Sequence, residues 1–445
     1  MKKWLFIGIA LLLAVLVYFA PFEGLTEPAR RTFSILVIAA VLWISEAIPL
    51  YVTSFVIAFL EVVLLKNVLD VSYKVYLHPF FDPIIVLFLG GFVLSRALNK
   101  YGIDERITRA ILSKTGNSPK KILFGMMLVS AFLSMWMSNT ATAALMMTVA
   151  ITIINTLPEK EPFKIGLVLG IPFACNIGGM ATPIGTPPNA IAISSLANLG
   201  ITISFIKWMM LALPIVIVIL LITWWLLSSI YKSKIKNIAY SMEKLPPVGI
   251  KDKWVVAIFI ITVILWLTGQ IHGIPTGVVA LIPVIAFIGG GFINRDDFRS
   301  LGWDILILMG GGLSLGVAMQ QSGLASWMVE RLNVGGLASP LIVILIFSSV
   351  TVAMTTFISN TSTAALVLPI AITMGVAPSA MALVTAFSAS IAMILPISTP
   401  PNAIAYGSGL VSVKDMAKTG FTVTLVSILI VTGTSVLLMR LFGYM

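Results

Sequence analysis

A long series of apolar segments runs through this chain, each close to the roughly 20 residues that a helix needs to cross the hydrocarbon core of a membrane. Lipid offers no hydrogen-bond partners, so a chain inside it must pair its backbone groups internally. Hydrophobic residues make up 59% of the 445 residues and charged residues only 10%, whereas soluble domains carry about 25% charged residues. The sequence therefore predicts an all-α polytopic membrane protein and excludes a water-soluble enzyme or a disordered chain.

About eleven transmembrane crossings are predicted from these segments. They cover residues 4–20, 32–49, 51–66, 82–98, 164–197, 204–231, 254–271, 275–292, 304–320, 379–409 and 420–441. The first segment follows Lys2 and Lys3 without the small-residue pair of a signal-peptide cleavage site, so we expect it to be retained. Lysine and arginine concentrate in the loops 99–121 and 232–253, which predicts that both are cytoplasmic. The N-terminus is then inside and the C-terminus outside, and the short loops suit a prokaryotic inner membrane.

Two further apolar stretches, 121–157 and 339–377, are each interrupted by a polar centre. Each is too short for two full crossings joined by a polar loop. We therefore predict two re-entrant helical hairpins whose tips stop near the middle of the membrane. Non-helical backbone at that depth is tolerated only where protein or a water-filled cavity surrounds it, so the tips are candidate sites.

The two hairpins carry nearly the same sequence. Residues 138–145 read SNTATAAL and residues 359–366 read SNTSTAAL, while residues 186–192 and 399–405 both read TPPNAIA. With the loop orientation above, the first hairpin opens to the cytoplasm and the second to the outside. The sequence thus predicts an inverted repeat, which in secondary transporters places the substrate at the repeat interface near mid-membrane.

Each Ser-Asn-Thr tip places two hydroxyls and a carboxamide deep in lipid, where unpaired polar groups cost several kcal/mol each. The plain alternative is that these side chains hold helices together, as Ser, Thr and Asn do in membranes. Their duplication at a hairpin turn favours a binding site. The glycosylation pattern at Asn360 is not expected to be used, because the modifying enzyme cannot reach a residue near the middle of the membrane.

Each Thr-Pro-Pro-Asn motif interrupts an apolar segment. Two successive prolines remove backbone donors and push the preceding residue out of the helical region, so each motif predicts a broken helix. Such a break presents carbonyls that suit a cation and a helix N-terminus that suits an anion. The alternative is a simple kink, which the repetition and the adjoining Gly185 and Ser398 make less favoured.

The sequence around both Asn-centred tips lacks Lys, Arg and His. Without Lys, Arg or His nearby, an anion has to be held by neutral donors, helix ends and a co-bound cation, which is a physical route to symport. Glu46 and Glu61 lie near segment ends, in a part of the chain remote from the motifs, and are predicted to have interfacial or dimer-contact roles. Asp82 and Asp304 are predicted to be N-terminal helix caps.

Two segments read as amphipathic surface helices beside the membrane. Residues 99–116 alternate charged residues with apolar ones at helical spacing, and residues 321–334 are their counterpart in the second half.

Other classes of protein find little support in the residues. One cysteine, Cys175, and two histidines, His78 and His272, exclude an internal disulfide and a Cys/His metal cluster. The sequence lacks the basic stripe with interleaved aromatic residues that is typical of nucleic-acid binding. It also lacks the combination of a nucleophile, a base and a residue that orients the base, which a hydrolase needs. A proton antiporter needs a titratable group at its site, and a channel suits broken helices poorly. No enzyme activity and no organic cofactor are expected.

The paired SNT and TPP motifs, in the same order in both halves, resemble those of the divalent anion/sodium symporter family of dicarboxylate, citrate and sulfate carriers. The resemblance covers essentially the whole chain. It implies a scaffold domain that forms a homodimer and a transport domain that moves across the membrane as an elevator. We expect the following parts: scaffold at 1–118 and 254–337, a cytoplasmic loop at 232–253, and transport parts at 119–231 and 338–445.

The resemblance also implies site residues. A first sodium ion would be held by Ser134, Ser138, Asn139 and Gly185, and a second by Thr355, Asn360 and Ser398. Substrate carboxylates would meet Asn139, Thr140, Thr186, Pro187, Asn360, Thr361, Thr399 and Pro400.

The residues and the resemblance together predict a secondary active transporter that couples inward sodium movement to uptake of a C4-dicarboxylate such as succinate. A sodium-independent dicarboxylate exchanger, or a carrier for citrate, sulfate or phosphate, stays open, because the donors are neutral and generic. The expected partners are the dicarboxylate, co-transported Na⁺, membrane lipid and a second copy of the chain.

Overall fold

A computed structural model describes residues 2–239, 245–332, 340–374 and 377–441. Every regular element in these ranges is helical, which confirms the predicted all-α class. The described ranges leave out Lys244 in the predicted cytoplasmic loop, the predicted domain boundary at residues 337 and 338, and the end of the predicted surface helix at 333–334.

The first half of the chain folds into the following helices: α1 Lys2–Phe19, α2 Glu27–Ser45, α3 Leu50–Leu65, α4 Lys74–Leu77, α5 Pro83–Lys100, α6 Ile103–Leu112, α7 Pro119–Ser134, α8 Asn139–Ile154, α9 Phe163–Gly179, α10 Pro187–Asn198 and α11 Phe205–Ile230. The second half follows the same order. Its helices are α12 Ile250–Leu267, α13 Gly269–His272, α14 Thr276–Val279, α15 Leu281–Val284, α16 Arg295–Arg299, α17 Trp303–Gln321, α18 Leu324–Leu332, α19 Pro340–Phe357, α20 Asn360–Ala371, α21 Pro378–Ser390, α22 Pro400–Gly407 and α23 Val413–Leu441.

Six helical segments of the described chain are long and apolar enough to cross a membrane. They are Glu27–Ser45, Lys74–Lys100, Phe205–Ile230, Arg295–Gln321, Pro340–Phe357 and Val413–Leu437. Shorter apolar helices include Lys3–Phe19, Leu50–Leu65, Asn139–Ile154, Phe163–Gly179, Thr276–Gly289 and Asn360–Ala371. The number of crossings therefore stays a prediction.

Both predicted helix breaks are present in the structure. Residues 180–186 separate α9 from α10, and residues 391–399, which include a 3₁₀ turn at Pro396–Ser398, separate α21 from α22. In each case the second piece begins at the first proline of the motif. Proline suits this position because the N–H of a residue in the first turn has no partner within the helix, so its absence costs no hydrogen bond.

The segment 275–292, predicted as one crossing, is divided into short pieces. α14 and α15 are followed by a π-helical segment, Ile285–Gly289. Pro283 lies in α15, and since it has no backbone N–H, the regular hydrogen-bond ladder cannot pass through it. The predicted surface helices are seen as α6 and α18.

The two halves interlock across the repeat. α7 packs on α9 and α19 packs on α21, so each hairpin lies against the first piece of its own broken helix. The second pieces cross over: α10 packs on α20 and α21, while α22 packs on α8 and α9. Each hairpin is therefore covered partly by the opposite half.

Glycines bring the remaining helices close together. A Cβ at Gly90 in α5 would overlap Ala280, and one at Gly311 in α17 would overlap Ser54 of α3. These glycines occupy matching places in the repeat, so both halves use the same device for close helix packing.

Two predictions about acidic residues are wrong. Glu61 is not interfacial: it is fully buried in the packing of α3 on α17, where its carboxyl contacts the Ser314 hydroxyl. Asp304 is not an N-cap, because α17 is capped at Gly302 and Asp304 lies in its first turn. Asp82 does cap α5, since its Oδ1 accepts the Ile84 N–H at 2.8 Å.

Candidate functional site

One cavity of about 740 Å³ lies where the two hairpins and the two broken helices meet. Both repeated motifs border it, and so do residues of the predicted scaffold. The predicted site residues that line it are Ser138, Asn139, Thr140, Gly185, Thr186, Pro187, Asn360, Thr361, Ser398, Thr399 and Pro400. The structure thus brings these residues together, although they are spread over more than half of the chain.

The first predicted cation site is a cluster of oxygens behind the first hairpin tip. Ser134 Oγ lies 2.5 Å from Asn139 Oδ1 and 2.9 Å from the Cys175 carbonyl oxygen. A hydroxyl has one proton, so it can donate to only one of these two acceptors at a time. Ser134 is fully buried and does not line the cavity itself. Such a group of uncharged oxygens suits a small cation.

Gly185 borders the same space as this cluster. A Cβ built on Gly179 would lie 2.8 Å from Asn139 Oδ1 and 3.2 Å from the Gly185 carbonyl oxygen. Both oxygens therefore face the bare backbone of Gly179. A Cβ on Gly185 would in turn overlap the Gly179 carbonyl. The two glycines leave the room that a cation needs beside these oxygens.

The second predicted cation site repeats this geometry. Thr355 Oγ1 lies 2.8 Å from Asn360 Oδ1 and 2.7 Å from the Ala389 carbonyl oxygen. Ser398, also predicted here, donates from its hydroxyl to the Thr356 carbonyl at 2.7 Å and accepts the Leu395 N–H at 3.3 Å. One lone pair of its oxygen is left for a cation. The match between the halves extends from sequence to the arrangement of individual oxygens.

The asparagine of each TPPN motif closes the helix break. Asn189 Nδ2 donates to the carbonyls of Gly179 at 3.0 Å and Thr182 at 2.8 Å. Asn402 Nδ2 does the same in the second half, to Ala392 and Leu395, both at 2.9 Å. A helix break leaves carbonyls without their usual donors, and the asparagines donate to these. The Thr182 and Leu395 carbonyls also accept the N–H groups of Gly185 at 3.3 Å and Ser398 at 3.2 Å.

Four helix N-termini border the cavity. α8 and α20 begin at the Asn of each SNT motif, and α10 and α22 begin at the TPP prolines. Ser138 and Ser359 cap α8 and α20 by accepting a backbone N–H. Helix N-termini carry partial positive charge and free N–H groups, which favour an anion.

No Lys, Arg or His is among the described residues that line the cavity, whereas Glu46 and Asp304 are. Glu46, predicted to have an interfacial or dimer-contact role, thus lies beside both motifs although it is far from them in the sequence. Glu46 ends α2 in the left-handed conformation, with φ of 48°, and this turn brings the residue to the cavity wall. An anion here gains no direct charge partner, so a cation bound nearby would strengthen its binding.

Several lining residues were not predicted from the sequence. Tyr51, Phe88 and Phe92 come from helices of the predicted scaffold, and no motif marks them. Asn176 is fully buried in α9 and also borders the cavity. Its only sequence signal is that it is the one amide side chain in the apolar run of α9.

Membrane-length apolar helices around a cavity made from two repeated helix breaks define an integral membrane protein of the transporter class. The sequence profile of the sodium:sulfate symporter transmembrane region matches residues 1–444, and the chain belongs to this family. The resemblance inferred from the SNT and TPP motifs is thereby confirmed.

Individual relatives agree with this assignment. The chain is 34% identical to the sodium-dependent dicarboxylate transporter SdcS of Staphylococcus saprophyticus, over 96% of this chain and 89% of the relative. SdcS of Staphylococcus aureus strain USA300 is 33% identical over the same shares.

Two solved structures share the fold. The YdaH transporter of Alcanivorax borkumensis has a TM-score of 0.60 at 14% identity, covering 94% of this chain and 99% of that one. MtrF of Neisseria gonorrhoeae has a TM-score of 0.60 at 11% identity, covering 96% of both chains.

Proposed function

We propose that this protein is a secondary active transporter that couples inward sodium movement to uptake of a C4-dicarboxylate such as succinate. The observation that carries the proposal is the pair of matching oxygen clusters, at Ser134 and Thr355, beside a cavity bordered by four helix N-termini. The names of the SdcS relatives, which describe sodium-dependent dicarboxylate transport, support it.

The chemistry of the cavity explains why the two substrates would travel together. Sodium ions at the two clusters would neutralise a substrate of charge −2, which the neutral SNT and TPP side chains cannot do alone. The carboxylates would meet the donors of Asn139, Thr140, Asn360 and Thr361 and the helix ends at Thr186–Pro187 and Thr399–Pro400. Any further sodium ion would make transport electrogenic, and the membrane field would then contribute about 2.3 kcal/mol per charge per 100 mV.

We also propose an elevator mechanism with the parts expected from the sequence. The segments 119–231 and 338–445 would form the moving transport part, and 1–118 with 254–337 the dimerising scaffold. The mutual covering of the hairpins and broken helices supports treating the two transport segments as one body. The hairpins would be re-entrant and opposite in orientation, with the N-terminus in the cytoplasm of a bacterial cell and the C-terminus outside.

Uptake of labelled succinate into proteoliposomes tests this proposal. We expect uptake into empty vesicles only with an inward sodium gradient, because the site holds no fixed positive charge. A potassium gradient of the same size is the control. Uptake that needs unlabelled succinate inside the vesicles and ignores sodium would instead identify an exchanger, and citrate, sulfate and phosphate as competitors would define the anion class.

A further inference from the structure

We propose that Asn176 couples the first cation site to the anion-binding end of the second broken helix. This inference rests on the proposed function and names a residue through which sodium at the first site would raise anion affinity beyond the effect of its charge. Asn176 belongs to the first half, but its side chain reaches into the second.

The contacts of Asn176 all lie across the repeat interface. Its Nδ2 is 3.4 Å from Thr399 Oγ1, 3.4 Å from Asn402 Oδ1 and 3.5 Å from the Ala392 carbonyl oxygen. Thr399 is a proposed substrate ligand. Asn402 fixes the break before α22, so Asn176 touches the part of the second half that would hold the anion.

The hydrogen-bond network determines how the two amides face each other. Asn402 uses its Nδ2 to donate to the carbonyls of Ala392 and Leu395, so its Oδ1 must point the other way. That oxygen can be satisfied only by a donor, and Asn176 presents its NH₂ there. Asn176 is thus the donor that completes the Asn402 network.

The backbone connects Asn176 directly to the first cation site. The Cys175 carbonyl, which belongs to the Ser134 cluster, and the Asn176 N–H are parts of one planar peptide unit. A cation that attracts this carbonyl would tilt the whole unit and shift the Cα of Asn176. The side chain would carry this shift to Asn402 and Thr399.

The contacts of the Asn176 amide are weak ones. Its Nδ2 contacts are long for hydrogen bonds, and its buried Oδ1 has no hydrogen-bond partner among the described residues. The amide is therefore held loosely, and a small displacement breaks no strong bond. A buried unpaired acceptor is costly, and Asn176 Oδ1 shares this state with Asn189 Oδ1 of the first TPPN motif.

No equivalent link is seen among the described residues of the second half. The residue after Ala389, whose carbonyl belongs to the second cluster, is Ser390, and its hydroxyl donates to the Ala386 carbonyl of its own helix at 3.2 Å. The coupling carried by this amide is therefore predicted to run from the first cation site only, in addition to the charge neutralisation at both sites. Ser390 is fully buried, like Asn176, and provides a matched control.

The experiment measures succinate affinity of the purified protein at low and saturating sodium chloride, with choline chloride keeping the ionic strength constant. The ratio of the two dissociation constants is the coupling factor. We expect Asn176→Ala to lower this factor by about fivefold or more, and Ser390→Ala to leave it unchanged. An Asn176→Ala factor equal to that of the wild type would overturn the proposal.

Double variants separate coupling from a general structural effect. Ser134→Ala removes the first cation site, so adding Asn176→Ala to it should not change the coupling factor further. Adding Asn176→Ala to Thr355→Ala should still lower the coupling factor. Equal effects in both backgrounds would refute the proposed route. If Asn176→Ala does not fold, Asn176→Ser takes its place.

The outcome for the wild type keeps the two proposals distinguishable. A wild-type protein whose succinate affinity ignores sodium contradicts the proposed function before any variant is made. A sodium-dependent wild type with an unaffected Asn176→Ala variant contradicts only the role of Asn176.

Discussion

The two oxygen clusters depend on backbone as much as on side chains. In each cluster, a hydroxyl near the end of the hairpin's first helix contacts an asparagine oxygen and a main-chain carbonyl oxygen of a broken helix. Ser134 and Thr355 differ by one methyl group and make the same contacts. A carbonyl cannot be altered by substitution, so the glycines that give access to it are the informative positions.

Gly179→Ala is predicted to damage the first cation site. The added methyl group would lie 2.8 Å from Asn139 Oδ1 and 3.2 Å from the Gly185 carbonyl oxygen, in the space that a cation needs. We expect the sodium concentration for half-maximal uptake to rise about tenfold, the equivalent of about 1.4 kcal/mol. Sodium titration of succinate uptake checks this.

A matched control for that substitution is Gly316→Ala in α17. Its methyl group would meet Pro369 Cγ at 3.5 Å, an ordinary contact. Sodium dependence should therefore be unchanged. An unchanged sodium requirement in Gly179→Ala would show that the cation binds elsewhere.

Sequence reasoning found most of these residues because the motifs are duplicated. A repeated SNT tripeptide identifies its own members, and the resemblance extended the prediction to Ser134 and Thr355. Asn176 was missed because it has no counterpart of its own kind: the second half has no amide there. Asymmetric residues cannot be detected by comparing the halves.

At the scale of elements, the broken helices owe their shape to a proline pair and an asparagine acting together. The prolines stop the helix, and Asn189 and Asn402 then bind the carbonyls that the break leaves free. A TPP sequence without the asparagine would leave buried acceptors unpaired. The motif is thus a structural unit as well as a binding one.

Asn189→Ala is predicted to destabilise the first break. The variant would leave the Gly179 carbonyl without its 3.0 Å donor, at a cost of about 1–3 kcal/mol for a buried unpaired group. The Thr182 carbonyl would keep the Gly185 N–H at 3.3 Å. We expect a lower melting temperature of the detergent-solubilised protein. Asn198→Ala, at the exposed end of the same helix, should melt like the wild type, and equal melting of both variants would argue against the role of Asn189.

The elements were predictable wherever a chemical signal interrupts an apolar run. The SNT hairpins and the TPP breaks are of this kind, and their helices lie where expected. The division of 275–292 was not predicted, because only the apolar length of this segment was used and Pro283 within it was not considered. Tertiary contacts decided the place of Glu61, since only the packing of α3 on α17 shows that it is buried.

At the scale of the whole molecule, the packing separates into two kinds of contact. Contacts among α7–α10 and α19–α22 join the halves of the proposed transport part, while α17 packs on α20 and thus joins the proposed scaffold to it. An elevator mechanism requires the contacts between scaffold and transport part to slide, while the contacts within the transport part stay fixed. Cross-links can distinguish the two.

A disulfide between cysteines at Gly316 and Pro369 is predicted to stop transport. An ideal Cβ on Gly316 lies 3.9 Å from Pro369 Cβ, within the roughly 3.5–4.5 Å that a disulfide needs, and the bond would tie α17 to α20. We expect oxidised Gly316→Cys/Pro369→Cys protein to lose succinate uptake and to regain it on reduction.

The control cross-link joins two helices of the proposed moving part. Ser348 in α19 and Ser388 in α21 have hydroxyl oxygens 2.7 Å apart. Oxidised Ser348→Cys/Ser388→Cys protein should keep its uptake. Full transport by the oxidised Gly316→Cys/Pro369→Cys protein would exclude sliding at this contact.

The crossing over of α10 and α22 has a consequence for synthesis and ancestry. During translation, α8 and α9 are made roughly half a chain before α22, so one face of each must wait in the membrane for its cover. A half-length ancestor with a single hairpin and a single broken helix would have kept that face bare for good. In the proposed orientation, a second copy inserted upside down would have covered it, and the two halves of the present chain cover each other in the same way.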